Sequence, residues 1–164
     1  MPKLIMDTNQ FGKLSKEYDA MRRGYPAELF EYLHSLSNIK SPVVLDMGCG
    51  TGISTRQLAE EGFNVIGVDK DAEMMRVARE KGDGISYVVA SADKLPFEDN
   101  HFDLATAFTS FHWFYNNESV LEIKRVLKMG GIFFVARKRI NRSEENEQFR
   151  KGYRVVRYKF IPDF

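Results

Sequence analysis

The sequence predicts an α/β domain built on a doubly wound, mostly parallel sheet with helices on both faces. Short apolar runs alternate along the chain with amphipathic segments of helical length. The first apolar run ends in an acid and a loop with three glycines, residues 46–52. A second run, residues 64–69, also ends in an acid. Right-handed crossovers bring such strand ends to one edge of a sheet, so both acids should face one ligand.

A proline marks the start of the first predicted helix. Pro26 suits a first helical turn, and three leucines at helical spacing share one face, so we predict a helix over residues 26–36. A Ser-Pro pair ends this segment before the first strand begins at Val43. After the glycine loop, residues 53–61 suit a second helix, which Gly62 terminates.

The rest of the chain repeats the alternation of strand and helix. Asp71 caps a helix that reaches about residue 80, and a further helix covers residues 117–128, where apolar positions share one face. The remaining strands are predicted at residues 64–68, 85–89, 102–108 and 132–136. In the tail, residues 143–151 suit a helix, and residues 153–160 suit either one more strand or a helix that covers the sheet edge.

The length and composition of the chain favour one domain that needs no disulfide or metal for stability. A chain of 164 residues can bury a sizeable core, and its formal net charge of +1 gives no electrostatic argument for nucleic acid or membrane as partner. Cys49 is the only cysteine, so no internal disulfide forms and a reducing, cytoplasmic location is expected. No apolar run approaches the 18 residues of a membrane helix, and the start lacks a signal-peptide core. Residues 137–164 carry nine basic and four acidic side chains, which makes this tail basic.

The glycine loop also carries a family resemblance. Leu45-Asp46-Met47-Gly48-Cys49-Gly50-Thr51-Gly52 is similar to the first motif of class I S-adenosylmethionine-dependent methyltransferases, and residues 43–136 resemble the Rossmann-like core of their type 11 methyltransferase domain. The resemblance implies S-adenosylmethionine as cofactor and S-adenosylhomocysteine as product. It places the loop around the methionine part of the cofactor, through Gly48, Cys49, Gly50 and Gly52, with Asp46 near its amino group. A purely structural glycine turn is the alternative.

The same resemblance assigns residues to the adenosine. Asp69 would bind both ribose hydroxyls, with Lys70 beside it, and Met74 would pack on the adenine face. Ala92 would meet the adenine edge through its backbone, and Asp93 would accept a hydrogen bond from the exocyclic amine. Each assignment has a simpler alternative: Asp69 as a helix N-terminal acid, Met74 as core filling and Asp93 as a turn residue.

An N-terminal segment, Tyr18-Asp19-Ala20-Met21-Arg22-Arg23-Gly24-Tyr25-Pro26, resembles the lid of a subgroup of these enzymes, although Arg23 stands where that subgroup has proline. The match implies that Tyr18 and Arg22 close over the methionine end of the cofactor, where Arg22 could pair with the cofactor carboxylate. A surface helix edge is the alternative. The chain is thus divided into lid and first helix (1–36), cofactor-binding core (37–140) and basic C-terminal segment (141–164), all within one domain.

The segment after the fourth strand should face the transferred methyl group. By the resemblance, Thr109 lines the cofactor, and Ser110, His112 and Trp113 belong to the acceptor. Packing of Trp113 and its aromatic neighbours under the next helix is the alternative. His112 is a candidate general base, and a structural histidine is the alternative. No Asn/Asp-Pro-Pro-aromatic run follows this strand, which disfavours nucleic acid as substrate. No metal-ligand spacing is present, so no metal is expected.

The resulting function is methyl transfer by in-line displacement to a small-molecule acceptor. A cofactor-binding module without full activity is the second hypothesis. The family's sheet adds two strands after the fifth, but only 28 residues follow Ala136, so we expect these strands to be missing or replaced. An uncovered fifth strand would be an edge, so either a monomer with a covering tail or a homodimer through this edge is expected. A nicotinamide-dependent oxidoreductase is disfavoured because Ile53 stands where its fingerprint needs a third glycine.

Overall fold

The computed structural model describes residues 24–139 and 152–159 and contains six strands and four α-helices in them. The strands are β1 Val43–Met47, β2 Asn64–Asp69, β3 Ser86–Val89, β4 Phe102–Phe108, β5 Leu127–Arg139 and β6 Gly152–Lys159. The helices are α1 Ala27–Ser35, α2 Ile53–Glu60, α3 Ala72–Arg79 and α4 Asn117–Val126, with a 3-10 turn at Phe111–Trp113.

The strands form one sheet in the order β3-β2-β1-β4-β5-β6. The first five are parallel, and β6 runs antiparallel to β5, so the predicted doubly wound, mostly parallel sheet is confirmed. The order reverses between β1 and β4, which lie side by side with Asp46 opposite Thr106. A crevice opens beyond the carboxyl ends of the strands at such a reversal, and ligands of open α/β sheets bind there.

Alternating strand residues build a core on each face of the sheet. Val44 packs with α1 through Phe30 and Leu33, whereas its neighbour Leu45 packs on the opposite side with Ile123 of α4. All five side chains are at most 1% exposed. Side chains of successive strand residues point to opposite faces, and burial on both faces explains why the strands read as continuous apolar runs.

Local signals set the start of α3 and the end of α2 as expected. The carboxylate of Asp71 accepts the backbone N–H groups of Glu73 and Met74 at 2.9 and 3.1 Å, which makes it the cap of α3. Gly62 follows α2 with φ +86°, a conformation that glycine adopts without a Cβ penalty. Pro26 occupies the position before α1 rather than its first turn.

The fifth strand is longer than predicted. The sequence indicated a helix to residue 128, a Gly-Gly break and a strand at 132–136, but α4 ends at Val126 and β5 begins at Leu127. Leu127 is paired with Phe102 of β4 across an irregularity in the register, and Gly130 takes φ +75°. Pairing with β4 therefore overrides the helical spacing of this segment, and a glycine conformation absorbs the irregularity.

The tail supplies the strand that covers β5. Of the two alternatives for residues 153–160, the structure contains the strand, β6, with Val135 opposite Val156. Among the described residues, one antiparallel strand follows β5, where the family resemblance implied two further strands. The predicted helix at 143–151 and the lid residues Tyr18 and Arg22 lie outside the described residues.

Candidate functional site

A pocket of about 360 Å³ opens at the carboxyl ends of the parallel strands, where the strand order reverses. Both predicted acidic strand ends adjoin it, but only Asp69 lines it. Eleven of the residues assigned from the sequence line this pocket: Gly48, Cys49, Gly50, Asp69, Lys70, Met74, Ala92, Asp93, Thr109, Ser110 and Trp113. We call it the strand-end pocket. Three other assigned residues, Asp46, Gly52 and His112, do not line it.

The glycine loop crosses the pocket floor in a conformation that side chains would prevent. Gly48 and Gly52 have φ of +63° and +81°. A Cβ on Gly52 would lie 2.6 Å from the hydroxyl of Tyr87, and a Cβ on Gly48 would lie 2.7 Å from the Cβ of Ser110. Gly52 therefore lets the loop pack closely against Tyr87 and is the N-cap of α2, although it does not line the pocket.

Asp69 ties the second strand to the glycine loop. Its Oδ2 accepts the backbone N–H of Gly50 at 2.9 Å, and its Oδ1 accepts that of Asp71 at 2.9 Å. Burial raises the pKa of this carboxyl, while the two N–H donors oppose the rise. Each oxygen keeps a second lone pair, so the carboxylate can accept two further hydrogen bonds from a ligand with paired hydroxyls.

Asp46, which the resemblance places near the cofactor amino group, lies beneath the pocket and does not line it. The side chain is 0% exposed. Its Oδ2 accepts the hydroxyls of Ser54 and Thr55 at 2.7 and 2.8 Å, and its Oδ1 accepts that of Thr106 at 2.9 Å. Burial raises its pKa to about 6 against the opposing effect of these hydroxyls. Asp46 thus joins β1 to α2 and β4 below the loop.

The loop with Ala92 and Asp93 is held from outside by a charged pair on α4. The guanidinium of Arg125 donates to the carbonyls of Phe97 and Leu95 at 2.8 and 3.1 Å. Glu122 accepts the backbone N–H of Leu95 at 2.9 Å and also pairs with Arg125. The Arg125 hydrogen bonds lower the pKa of Glu122 and keep it ionised. This pair fixes the segment that follows Asp93.

Thr109 carries an unusual backbone at the end of β4. Its φ is +57°, a rare value for a β-branched residue. Its N–H donates to the carbonyl of Ala136 at 2.7 Å, and the hydroxyl of Tyr25 donates to the carbonyl of Phe108 at 3.1 Å and lies 3.4 Å from the Thr109 hydroxyl. Such strain persists where the surroundings enforce it, frequently at functional sites.

His112 lies in a second, smaller pocket. This pocket measures about 260 Å³ and shares Thr109 and Ser110 with the strand-end pocket. Its remaining walls come from the 3-10 turn, from the residues just after that turn and from β5: Phe111, His112, Tyr115, Val135, Ala136 and Arg137. Trp113, grouped with His112 from the sequence, faces the strand-end pocket instead. We call the second cavity the β5 pocket.

Burial shifts the pKa values of titratable side chains in both pockets. Partial burial, and secondarily the positive charge of Arg137, lower the pKa of His112, so its imidazole is neutral near pH 7. Burial and the nearby carboxylates of Asp46 and Asp69 raise the pKa of the Cys49 thiol. Cys49 is therefore a neutral wall of the pocket and a poor nucleophile.

Thr51 and Tyr25 line the strand-end pocket, but neither residue was assigned to a ligand from the sequence. The hydroxyl of Thr51 is the one buried side-chain polar atom without a hydrogen-bond partner in the part of the chain that the structure describes. It lines the strand-end pocket and is 1% exposed. A hydroxyl residue between two glycines of a ligand loop was the available signal. An orphaned donor here fits a polar ligand.

The comparisons identify the family. A family model described as a methyltransferase domain matches residues 45–135. An uncharacterized methyltransferase of Schizosaccharomyces pombe is 34% identical over 117 residues, 70% of this chain and 47% of that protein. The ubiquinone/menaquinone biosynthesis C-methyltransferase of Pseudomonas paraeruginosa is 40% identical over 102 residues, 56% of this chain and 40% of that protein.

A comparison with solved structures also finds a methyltransferase. The structure of a putative type II methyltransferase from Anaeromyxobacter dehalogenans matches with a TM-score of 0.64 and 30% identity over 74% of this chain and 52% of that chain. The chain belongs to the S-adenosylmethionine-dependent methyltransferase family. It spans about half the length of the curated relatives it matches.

Within residues 24–139 and 152–159, no three histidine, cysteine or acidic side chains are placed to hold a metal ion. No helix in the same part of the chain is both long and apolar enough to span a membrane.

Proposed function

We propose that this chain binds S-adenosylmethionine in the strand-end pocket and transfers its methyl group to a small-molecule acceptor in the β5 pocket. The observation that carries the proposal is the shared wall of the two pockets, Thr109 and Ser110. Two separate ligands that meet at one wall can be held with their reacting atoms adjacent. Such positioning lowers the barrier of a two-substrate reaction by several kcal/mol.

The pocket residues fit this cofactor. Asp69 has lone pairs free for the two ribose hydroxyls, and Met74, 5% exposed, offers a polarizable surface to the adenine. Asp93 and the Ala92 backbone lie at the same pocket for the edge of the base. The unpaired hydroxyl of Thr51 and the glycine loop remain for the methionine end. When bound, S-adenosylmethionine supplies a methyl group on a good leaving group.

The protein's own task is then to position the acceptor and exclude water. Trp113 and Phe114 line the strand-end pocket beside Ser110, and Ser110 is fixed by its hydroxyl, which donates to the Met47 carbonyl at 2.7 Å. Tyr25 covers the same region from the segment before α1. These groups form an aromatic rim around the shared wall, as water exclusion at a transfer site requires.

His112 supplies the base if the acceptor needs one. Because its pKa is lowered, a ring nitrogen is free near pH 7 to take the proton of an acceptor hydroxyl or amine. A carboxylate or thiolate acceptor needs no base, and His112 would then only contact it. The effect of His112→Gln on kcat against pH separates these cases.

Titration calorimetry and a turnover assay test the proposal. We expect binding of S-adenosylmethionine and S-adenosylhomocysteine but not of NAD, and a methyl gain detected by mass on small acids, amines or hydroxylated metabolites. Binding of both sulfur compounds without turnover on a broad panel would favour the cofactor-binding module. Binding of NAD without response to the sulfonium would overturn the proposal in favour of an oxidoreductase.

The names of the relatives support methyl transfer as the reaction. The quinone-pathway relative is named as a C-methyltransferase, yet the match covers 40% of that protein. Acceptor choice depends on the residues around the acceptor more than on the shared fold. The acceptor of this chain is therefore better inferred from the β5 pocket.

A further inference from the structure

Cationic and neutral groups line the β5 pocket. Arg137 contributes a permanent positive charge, His112 contributes an imidazole, and Phe111 and Val135 contribute apolar surface. No acidic side chain occurs among the described residues that line this pocket. A guanidinium at the wall of a small organic pocket, without a carboxylate beside it in that wall, favours an anionic ligand.

Arg137 lies next to the wall that the two pockets share, Thr109 and Ser110. It follows Ala136, whose carbonyl accepts the N–H of Thr109 at 2.7 Å, and its side chain is exposed. The positive charge of Arg137 also contributes to the lowered pKa of His112, which supports the proximity of the two groups across the pocket. Arg137 lines the β5 pocket and not the strand-end pocket, so its charge is available to a ligand of the β5 pocket.

The sequence carries further basic residues at this end of β5. Arg137 begins the run Arg137-Lys138-Arg139, and the backbone register of the antiparallel pair places residue 154 of β6 opposite residue 137.

We propose that the β5 pocket binds the carboxylate of a small organic acid, with Arg137 as its ion-pair partner and with the apolar walls against the carbon skeleton. This proposal rests on the proposed function, because it names the class of the methyl acceptor. The planar fork of a guanidinium matches the two oxygens of a carboxylate, and a volume of about 260 Å³ suits a small acid. The proposal concerns recognition and leaves open which atom is methylated.

Direct binding is the first test, since it does not depend on turnover. Benzoate and succinate are titrated into the free chain and into the chain saturated with S-adenosylhomocysteine, with benzamide and succinamide as neutral partners of matched shape. NMR signals of the His112 ring report occupation of the β5 pocket. We expect the acids to shift these signals, the amides to be at least tenfold weaker, and added salt to weaken the acids.

Three variants separate the Arg137 contact from general electrostatics. Arg137→Met should weaken acid binding about tenfold, Arg137→Lys should be intermediate because it keeps the charge without the fork, and Lys124→Met should have no effect. Lys124 is an exposed cation of α4 that lines neither pocket. All three should bind S-adenosylhomocysteine within twofold of the wild type, which also verifies that they fold.

The outcomes distinguish this proposal from the proposed function. If acids bind through Arg137 but no methyl gain occurs, the carboxylate site stands and the methyltransferase reaction fails. If methyl transfer occurs equally on acids and amides, or with unchanged KM in Arg137→Met, the carboxylate site is wrong and the reaction stands. Absence of any His112 response to the acids, or stronger binding of phenyl phosphate than of benzoate, would also overturn it.

Discussion

The carboxylate of Asp69 accepts the backbone N–H of Gly50 at 2.9 Å, so the end of β2 and the glycine loop after β1 form one unit. The acid that is assigned to the ribose therefore also positions the loop assigned to the methionine end. Loss of this carboxylate should weaken both parts of the cofactor site together, beyond the loss of a single ligand contact.

Asp69→Asn should weaken S-adenosylhomocysteine binding by about 2 kcal/mol, roughly thirtyfold, because charge-assisted hydrogen bonds become neutral ones. Titration calorimetry measures the effect. Glu73→Gln is the matched control, since it removes an acidic charge four residues away at an exposed position that lines neither pocket. Equal effects of the two variants would indicate general electrostatics and contradict the role of Asp69.

Thr51→Val should change stability and binding in opposite directions. The variant removes a buried hydroxyl that has no partner among the described residues, so the free energy of unfolding of the free protein should rise by about 1 kcal/mol. Affinity for S-adenosylhomocysteine should fall severalfold. Urea denaturation and calorimetry measure the two quantities.

Thr55→Val provides the control for this pair of effects. The Thr55 hydroxyl donates to Asp46 at 2.8 Å, so the same chemical change there should lower stability. A fall in stability for Thr51→Val as well would show that its hydroxyl is satisfied in solution.

Arg125→Met should weaken cofactor binding although Arg125 itself does not line the strand-end pocket. Arg125 donates to the carbonyls of Leu95 and Phe97, which follow the predicted adenine contacts. Without these bonds the loop gains freedom that binding must remove, so the Kd for S-adenosylhomocysteine should rise severalfold. Arg76→Met, which removes an exposed ion pair on α3, should leave the Kd unchanged. An unchanged Kd in Arg125→Met would mean that the loop is held by other contacts.

The pH dependence of stability should carry the signature of Asp46. Its pKa is raised from 3.8 to about 6 by burial, so the folded state holds a proton that the unfolded state releases between these values. Stability contributed by this group is present below about pH 4 and is lost as the pH rises through about 6, by about 3 kcal/mol in all.

Asp46→Asn lacks this titration. Denaturant unfolding of both proteins between pH 4 and 7 should show the stability of the wild type, taken relative to the variant, falling as the pH rises. A difference that stays constant over this range would show that Asp46 is ionised throughout and that its three hydroxyl donors outweigh burial.

The sequence by itself determined the sheet, most helix ends and eleven of the 23 residues that line the strand-end pocket. Apolar runs buried on both faces, the cap at Asp71 and the glycine at position 62 are local signals, and their effects are local. β2, β1 and β4 are parallel neighbours, so their carboxyl ends lie at one edge of the sheet. The alternation of strands and helices was therefore enough to predict that the residues after these strands lie close together.

Tertiary structure decided what depends on packing between distant segments. Helical spacing predicted residue 127 in a helix, but pairing with Phe102 puts it in β5. Asp46 was expected near the cofactor amino group, and the structure shows that hydroxyls of α2 and β4 donate to both of its oxygens beneath the loop. The separation of His112 from Trp113 into two pockets depends on a 3-10 turn, whose path follows from contacts with β5 that adjacent sequence positions do not reveal.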